Sequence, residues 1–230
     1  MISVCLASYN GARFIEEQVR SVLSQLGPAD ELVVSDDGST DATLPLLRAL
    51  GDPRIRIIDG PRRRSPIWNF EHALRQARGE YIFLCDQDDL WEPDKVAVTM
   101  RCLEHCDCVV SDCSVIDAEG RELEPSFFAL NATRPGRLYN LLVKNGYLGC
   151  CMAFRRCVLT AALPFPADTP MHDIWIGNVA AFRYRLTFIP DRLMRYRRHG
   201  DNASSASDAS RYGFWARVRF RWVVVRALFS

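Results

Sequence analysis

Three carboxylates, Asp86, Asp88 and Asp89, fall in the stretch LCDQDDLW, directly behind the apolar run YIFLC. Like charges this close repel, so a chain that places them at the end of a buried strand needs a compensating cation or partner. Carboxylate oxygens are the ligands that Mg²⁺ and Mn²⁺ take, and such ions often bridge them to substrate phosphates. A solvated acidic turn explains isolated acids, but it explains poorly a cluster that follows an unbroken apolar run of the kind buried on both faces of a sheet. Other polar groups follow strand-like runs in the same manner: Ser8-Tyr9-Asn10-Gly11, Asp36-Asp37-Gly38-Ser39, and the basic run Arg62 to Arg64. Taken alone, SDDGSTD (35–41) serves turn and helix-cap chemistry as readily as it offers a carboxylate to a base or ribose. The arginine run likewise reads as a solvated loop or as a contact to a diphosphate.

The elements that must position these residues alternate. ISVCLA (2–7), ELVVSD (31–36), RIRIID (54–59), EYIFLC (80–85) and CDCVVS (106–111) read as strands. Between them, RFIEEQVRSVLSQL, DATLPLLRAL, IWNFEHALRQAR and PDKVAVTMRCLEHC carry apolar residues at helical spacing, the last with Pro93 suited to a first turn. This alternation predicts an α/β fold: a mostly parallel twisted sheet with helices on both faces. Ligands bind such sheets beyond the carboxyl ends of the strands, which is where the polar groups above fall. Carboxylates, small polar groups and arginines on one edge suit a nucleotide, its phosphates and a divalent cation.

After Ser111 the alternation weakens, and a smaller, acceptor-side region is expected over 112–201. There NGYLGCCMAFRR (145–156) reads as a strand or hairpin, MHDIWIGNVAAF (171–182) as a helix, and YRLTFIP and RLMRYRRHG as two strands. Beyond it, 202–230 divides into NASSASDAS, read as flexible, and the tail RYGFWARVRFRWVVVRALFS, with five arginines and no acids. The tail suits an amphipathic helix docked on its own core, or one lying in a membrane interface with its arginines toward anionic headgroups.

Composition sets the remaining bounds. With 230 residues and 48% hydrophobic content the chain can bury a substantial core. Its 29 basic residues against 28 acidic ones leave a net charge of +1, so no overall charge argues for nucleic acid. The first apolar run is short and lacks a basic leader, and no run is long enough to span a bilayer, so a cytoplasmic location is expected. Nine cysteines without a secretion signal suggest reduced thiols. Cys102, Cys106, Cys108 and Cys113 lack paired CxxC spacing and read as structural rather than zinc-binding.

The segments ASYNGARFIEEQVRSVLSQ, VVSDDGSTDAT, NFEHALRQARGEYIFLCDQDDLWEPDKV, HDIW and YRRHGDN together resemble the family 2 glycosyltransferases, in order from about Ile2 to Asn202. The DQDDLW and HDIW forms are most similar to rhamnosyltransferase-like members. The resemblance implies a GT-A fold, a UDP- or dTDP-sugar donor, a Mn²⁺ or Mg²⁺ cofactor, and inverting transfer to a glycan or lipid-linked acceptor in surface polysaccharide synthesis. It further implies that Ser8, Tyr9 and Asn10 line the nucleotide pocket and that Asp37 contacts the base with Asp36 close by; from the arginine run, Arg62 is the residue expected to meet the donor. Asp89 is then the main metal ligand, Asp88 lies against ribose or the metal shell, Asp86 orders the loop, and His199 adds a metal or diphosphate contact. Asp173 takes the base position, Gly149 allows close backbone approach to the donor sugar, and His172 and Trp175 shape the acceptor or donor-sugar pocket. Members acting on lipid-linked glycans make the inner face of the cell membrane the expected place of a peripheral contact through 211–230. A noncatalytic nucleotide-sugar binder on the same fold is the alternative, and it has no need of Asp173. A nucleotidyltransferase would carry a glycine- and lysine-rich phosphate loop where this chain has SYNGARF.

Overall fold

The computed structural model describes residues 1–200 and 214–229. The first half follows the expected alternation: β1 (Ile2–Ser8), α1 (Ile15–Leu23), β2 (Glu31–Asp36), α2 (Thr43–Ala49), β3 (Ile55–Asp59), α3 (Pro66–Gln76) and β4 (Tyr81–Asp86). These four strands are parallel and lie in the order β3-β2-β1-β4. The chain therefore steps outward from β1 to β3 and then returns past β1 to place β4. Right-handed crossovers put α1 and α2 on one face and α3 on the other, and the reversal makes the β1–β4 junction a topological switch point.

Register decides what meets there. Ser8 pairs with Asp36, Asp36 with Asp59, and Ala7 with Asp86, so the strand ends line up as one polar row on a buried sheet. Every residue of β2 is buried, as are most of β1 and β4, which explains their apolar runs. The helices turn apolar stripes toward the sheet: Ile15, Val19 and Val22 on α1, Phe70, Ala73 and Leu74 on α3.

The second half consists of β5 (Leu90–Trp91), α4 (Lys95–Leu103), β6 (Cys108–Ile116), β7 (Glu122–Glu124), α5 (Phe127–Leu130), α6 (Arg137–Leu142), a 3₁₀ turn at Gly149–Cys151, β8 (Met152–Arg155), α7 (Arg156–Ala162), α8 (His172–Arg183), β9 (Leu186–Arg197) and α9 (Phe214–Phe229). Its strands extend the same sheet as β4-β8-β6-β9-β5, with β7 against β6, and the pairing becomes mixed. Only β6 and β9 pair in parallel here. Because β8 runs antiparallel to β4, its start brings the Gly149–Cys151 turn to the edge where β4 ends. The two strands expected around Pro190 are one continuous β9. A register shift beside Ser111 and Asp112 leaves Pro190 unpaired, which accommodates its missing N–H. NASSASDAS, expected to be flexible, and 211–213 of the tail lie outside the described residues. Among the described residues no helix is long and apolar enough to cross a membrane.

Candidate active site

A cleft opens at the switch point. Ser8 and Tyr9 line it from the end of β1, Asp86 and Asp88 from the loop after β4, Gly149 from the 3₁₀ turn, and His172 and Asp173 from the first turn of α8. Residues from four distant stretches thus meet because the strand ends and the α8 N-terminus share one edge.

At the β1 and β2 ends, the two carboxylates of SDDGSTD divide. Asp36 is buried and accepts hydrogen bonds from the Ser8 and Ser39 hydroxyls (2.8 and 2.6 Å) and the Gly38 and Ser39 amides (3.2 and 2.8 Å). It folds the loop and does not line the cleft. Asp37 does line it, and its two oxygens accept the Arg63 and Ser65 amides at 3.0 and 3.1 Å, clamping the arginine loop to the wall. Within that loop Arg62 and Arg64 both adopt left-handed backbone (φ 55° and 47°), and the residue delivered to the cleft is Arg64, 5.7 Å over the Tyr9 ring. Arg62 is exposed and lies off the lining. Asn10 is exposed and, contrary to the expectation, does not line the cleft: its amide donates to Ser39 Oγ and its Oδ1 accepts the Thr40 amide, both at 2.8 Å. Gln87, for which no role is expected from its neighbours in the chain, holds the Tyr9 backbone from both sides, accepting its N–H at 2.9 Å and donating to its carbonyl at 3.1 Å.

The acidic loop also divides. Asp88 lines the cleft and its Oδ2 lies 2.7 Å from His199 Nε2, so the two expected metal contacts meet across 111 residues of chain. Asp89 points into the body: Oδ1 accepts the Arg197 amide at 2.9 Å, and Oδ2 is a buried acceptor with no hydrogen-bond partner among the described residues. Ligand atoms of Asp86, Asp89 and Cys150 lie within 4.8 Å of one another. Arg197, at the end of β9, braces this turn by donating from Nε to the Asp88 carbonyl and from Nη2 to Glu17, both at 2.8 Å. Lys95, also buried, donates to the Cys150 carbonyl at 2.9 Å, placing a cation behind the cluster.

Burial, then the charge of Asp88, then that of Asp173, push Asp86 up to about 8. Burial and the neighbouring Asp88 and Asp86 also raise Asp89 well above the usual carboxylate range. An orphaned buried oxygen and two carboxyls held from ionising fit a divalent cation, whose charge would replace those protons. The Cys102–Cys113 thiols make no metal group among the described residues, and none of the nine cysteines is in a disulfide.

Across the cleft, Asp173 Oδ1 accepts the Ile174 amide at 2.7 Å and Oδ2 the Gly149 amide at 3.2 Å. Burial raises it to about 6, making it a stronger base than an exposed carboxylate while still mostly ionised at neutral pH. A Cβ on Gly149 would lie 2.8 Å from His172 Nε2, so only glycine leaves that ring its place. His172 stacks on Phe70 at 4.0 Å between centroids, and neither ring nitrogen has a hydrogen-bond partner among the described residues. Burial lowers it to about 3, so the imidazole is neutral and offers one donor and one acceptor to the cleft.

Trp175 corrects the sequence expectation. Two residues beyond Asp173 on a helix is roughly 200° around the axis, so the indole turns into the core, where it is buried and donates to the Ala162 carbonyl at 2.7 Å. It takes no part in the cleft lining. Trp175→Phe is therefore expected to lower folding stability by about 1–3 kcal/mol through the unpaired carbonyl, leaving the donor KM unchanged. Chemical denaturation beside steady-state kinetics checks this.

A parallel half-sheet ending in a polar edge, with an acidic loop and a buried carboxylate brought to it by the mixed half, is the GT-A architecture. The protein superposes on S. aureus TarS 1-349 in complex with UDP-GlcNAc with a TM-score of 0.71 at 20% identity, covering 97% of this chain and 66% of that one. It also superposes on the Pyrobaculum calidifontis mannosyltransferase PcManGT in complex with GDP-Man and Mn²⁺, with a TM-score of 0.63 at 27% identity, covering 84% and 56%. The chain belongs to glycosyl transferase family 2, whose profile matches residues 3–161. Among curated relatives it is 30% identical to the putative teichuronic acid biosynthesis glycosyltransferase TuaG of Bacillus subtilis, over 99% of this chain and 88% of that one. It is 35% identical to the succinoglycan biosynthesis protein ExoO of Rhizobium meliloti, over 53% of this chain but only 36% of that protein's length. The Escherichia coli enzyme WfgD, a UDP-Glc:alpha-D-GlcNAc-diphosphoundecaprenol beta-1,3-glucosyltransferase, is 27% identical over 72% and 64% of the two chains.

Proposed function

We propose that this chain is an inverting, metal-dependent glycosyltransferase that moves a sugar from a UDP- or dTDP-sugar to a hydroxyl of a glycan or lipid-linked acceptor in surface polysaccharide synthesis. The observation that carries this reading is the buried carboxylate of Asp173 sharing one cleft with Asp86 and Asp88 at the strand-end edge. A nucleotide binder without turnover has no use for a carboxylate there.

In this reading Tyr9 and Arg64 flank the base, Asp37 and Ser8 complete the nucleoside pocket, and Asp173 takes the proton of the acceptor hydroxyl as it attacks the anomeric carbon. The two amides on Asp173 hold the carboxylate in line, and the neutral His172 orients sugar hydroxyls through its free donor and acceptor. Asp89, through its buried Oδ2, unpartnered among the described residues and beside Asp86, would hold Mn²⁺ or Mg²⁺ together with Asp88 and His199. When bound, the ion offsets charge on the leaving diphosphate. A panel of UDP- and dTDP-sugars, dTDP-rhamnose included, incubated with Mn²⁺ and read by released nucleotide tests the reading without knowledge of the acceptor. No release from any donor, together with no binding of UDP or dTDP in calorimetry, would overturn it.

Cation binding should displace protons from the acidic loop, because Asp86 ionises at about 8 in the free protein. The ion binds the ionised form, so Mn²⁺ affinity is expected to rise with pH and level off above that value. Calorimetry near pH 7 in buffers of different ionisation enthalpy should show net proton release. A buffer-independent enthalpy and a flat affinity profile would contradict it.

A further inference from the structure

We infer that the face built by α6 and α9 is a docking surface for the anionic headgroup layer of a lipid bilayer. Helix α9 buries Val224 and Leu228 on its inner side and turns Val218, Arg219, Trp222 and Arg226 outward, with Trp222 65% exposed. Helix α6 and the residue after it do the same with Leu138, Leu142 and Val143, each more than half exposed. Both helices pack on α8 and the end of α6 is tied to α9: Arg221 Nη2 donates to the Val143 carbonyl at 2.9 Å, and Arg183 of α8 donates to the Leu228 carbonyl at 2.8 Å. Large apolar side chains gathered on neighbouring helices mark an interaction surface rather than ordinary solvent-facing polarity.

Charge selects the occupant. The sixteen residues of α9 include four arginines and no acid, and no Asp or Glu occurs between Glu124 and Asp168, a segment that includes Arg134, Arg137 and Lys144. Arg219 lies 3.6 Å from Asp168, both more than two-thirds exposed, so that pair offsets little of the excess. A second copy docking through the same face would bring arginine against arginine, whereas an anionic headgroup layer takes the cations at its surface and Trp222 and the leucines at its apolar boundary. The arginines along α9 suit lying on a bilayer, not crossing it. The inference stands apart from the transfer reaction, since it uses no residue of the cleft.

The test is co-sedimentation of the full chain with phosphatidylcholine vesicles made with and without phosphatidylglycerol. Binding to the anionic vesicles, weakened by salt, is expected, with little to neutral ones. A Leu142→Ser/Trp222→Ser variant should lose about tenfold or more in affinity, and Arg226→Glu should lose the preference for anionic lipid. Nucleotide binding in solution should be unchanged in both variants, which reports an intact fold and separates this test from that of transfer. Absence of anionic-vesicle binding, equal partition of wild type and variants, or a variant effect confined to a monomer–dimer equilibrium in light scattering overturns the proposal.

Discussion

Asp173→Asn is expected to lower kcat by about 10²–10⁴-fold, the range a general base contributes, while donor binding survives. Asn keeps the shape and can still accept the Ile174 amide, but it cannot take a proton at neutral pH. The charge of Asp173 is among the causes that raise Asp86. Its removal therefore eases ionisation of the acidic loop, and Mn²⁺-dependent nucleotide binding should be retained or slightly tightened. The wild-type pH profile follows from the same group. The base works ionised, so kcat/KM should rise about tenfold per pH unit below the inflection and flatten above it. For the metal-free protein that inflection belongs near 6, where burial places Asp173, and a bound cation nearby would move it lower by favouring the carboxylate. Wild-type turnover in the Asn variant would remove Asp173 from the role of base.

The comparison of Asp88→Ala with Asp89→Ala carries the second large effect, because the two neighbours face opposite ways. Asp88→Ala is expected to abolish metal-dependent UDP binding, a loss of about 100-fold or more, with no loss of metal-free stability. Its charge is one of the forces holding Asp86 and Asp89 protonated, so removing it relieves repulsion. Asp89→Ala strips the buried Arg197 amide of its acceptor and should cost about 1–3 kcal/mol of folding stability before any effect on binding is considered. Thermal unfolding with and without Mn²⁺ and UDP reads both quantities. Normal metal-dependent binding in Asp88→Ala would remove Asp88 from the ligand set and leave Asp89 as the principal ligand, and normal binding in Asp89→Ala would do the converse.

The parts of the site legible before folding share a property: each follows from a short pattern. Strand-end positions of Ser8, Asp36, Asp37, Asp86 and Asp88 come from apolar runs and their terminators, and the helix starting at His172 comes from a local periodicity. The parts that were not legible depend on partners far away in the chain. Gln87 holds Tyr9 across 78 residues, and Arg197 reaches Asp89 across 108. Nothing in DQDDLW distinguishes Asp88 from Asp89 until β9 arrives with one amide and one imidazole and gives each carboxylate a different neighbour.

By itself the sequence determined the α/β alternation, the edge on which chemistry gathers and the residue types available there, because sheet and helix periods and turn chemistry are properties of neighbouring residues. Tertiary structure alone decided that Asp36 braces a loop, that Arg64 rather than Arg62 reaches the cleft, that Trp175 packs inside, and that His172 stands neutral beside Asp173 with no hydrogen-bond partner among the described residues. Those outcomes rest on side-chain direction, burial and long-range hydrogen bonds, and each of these exists only once β8, β9 and α8 have closed against the parallel strands.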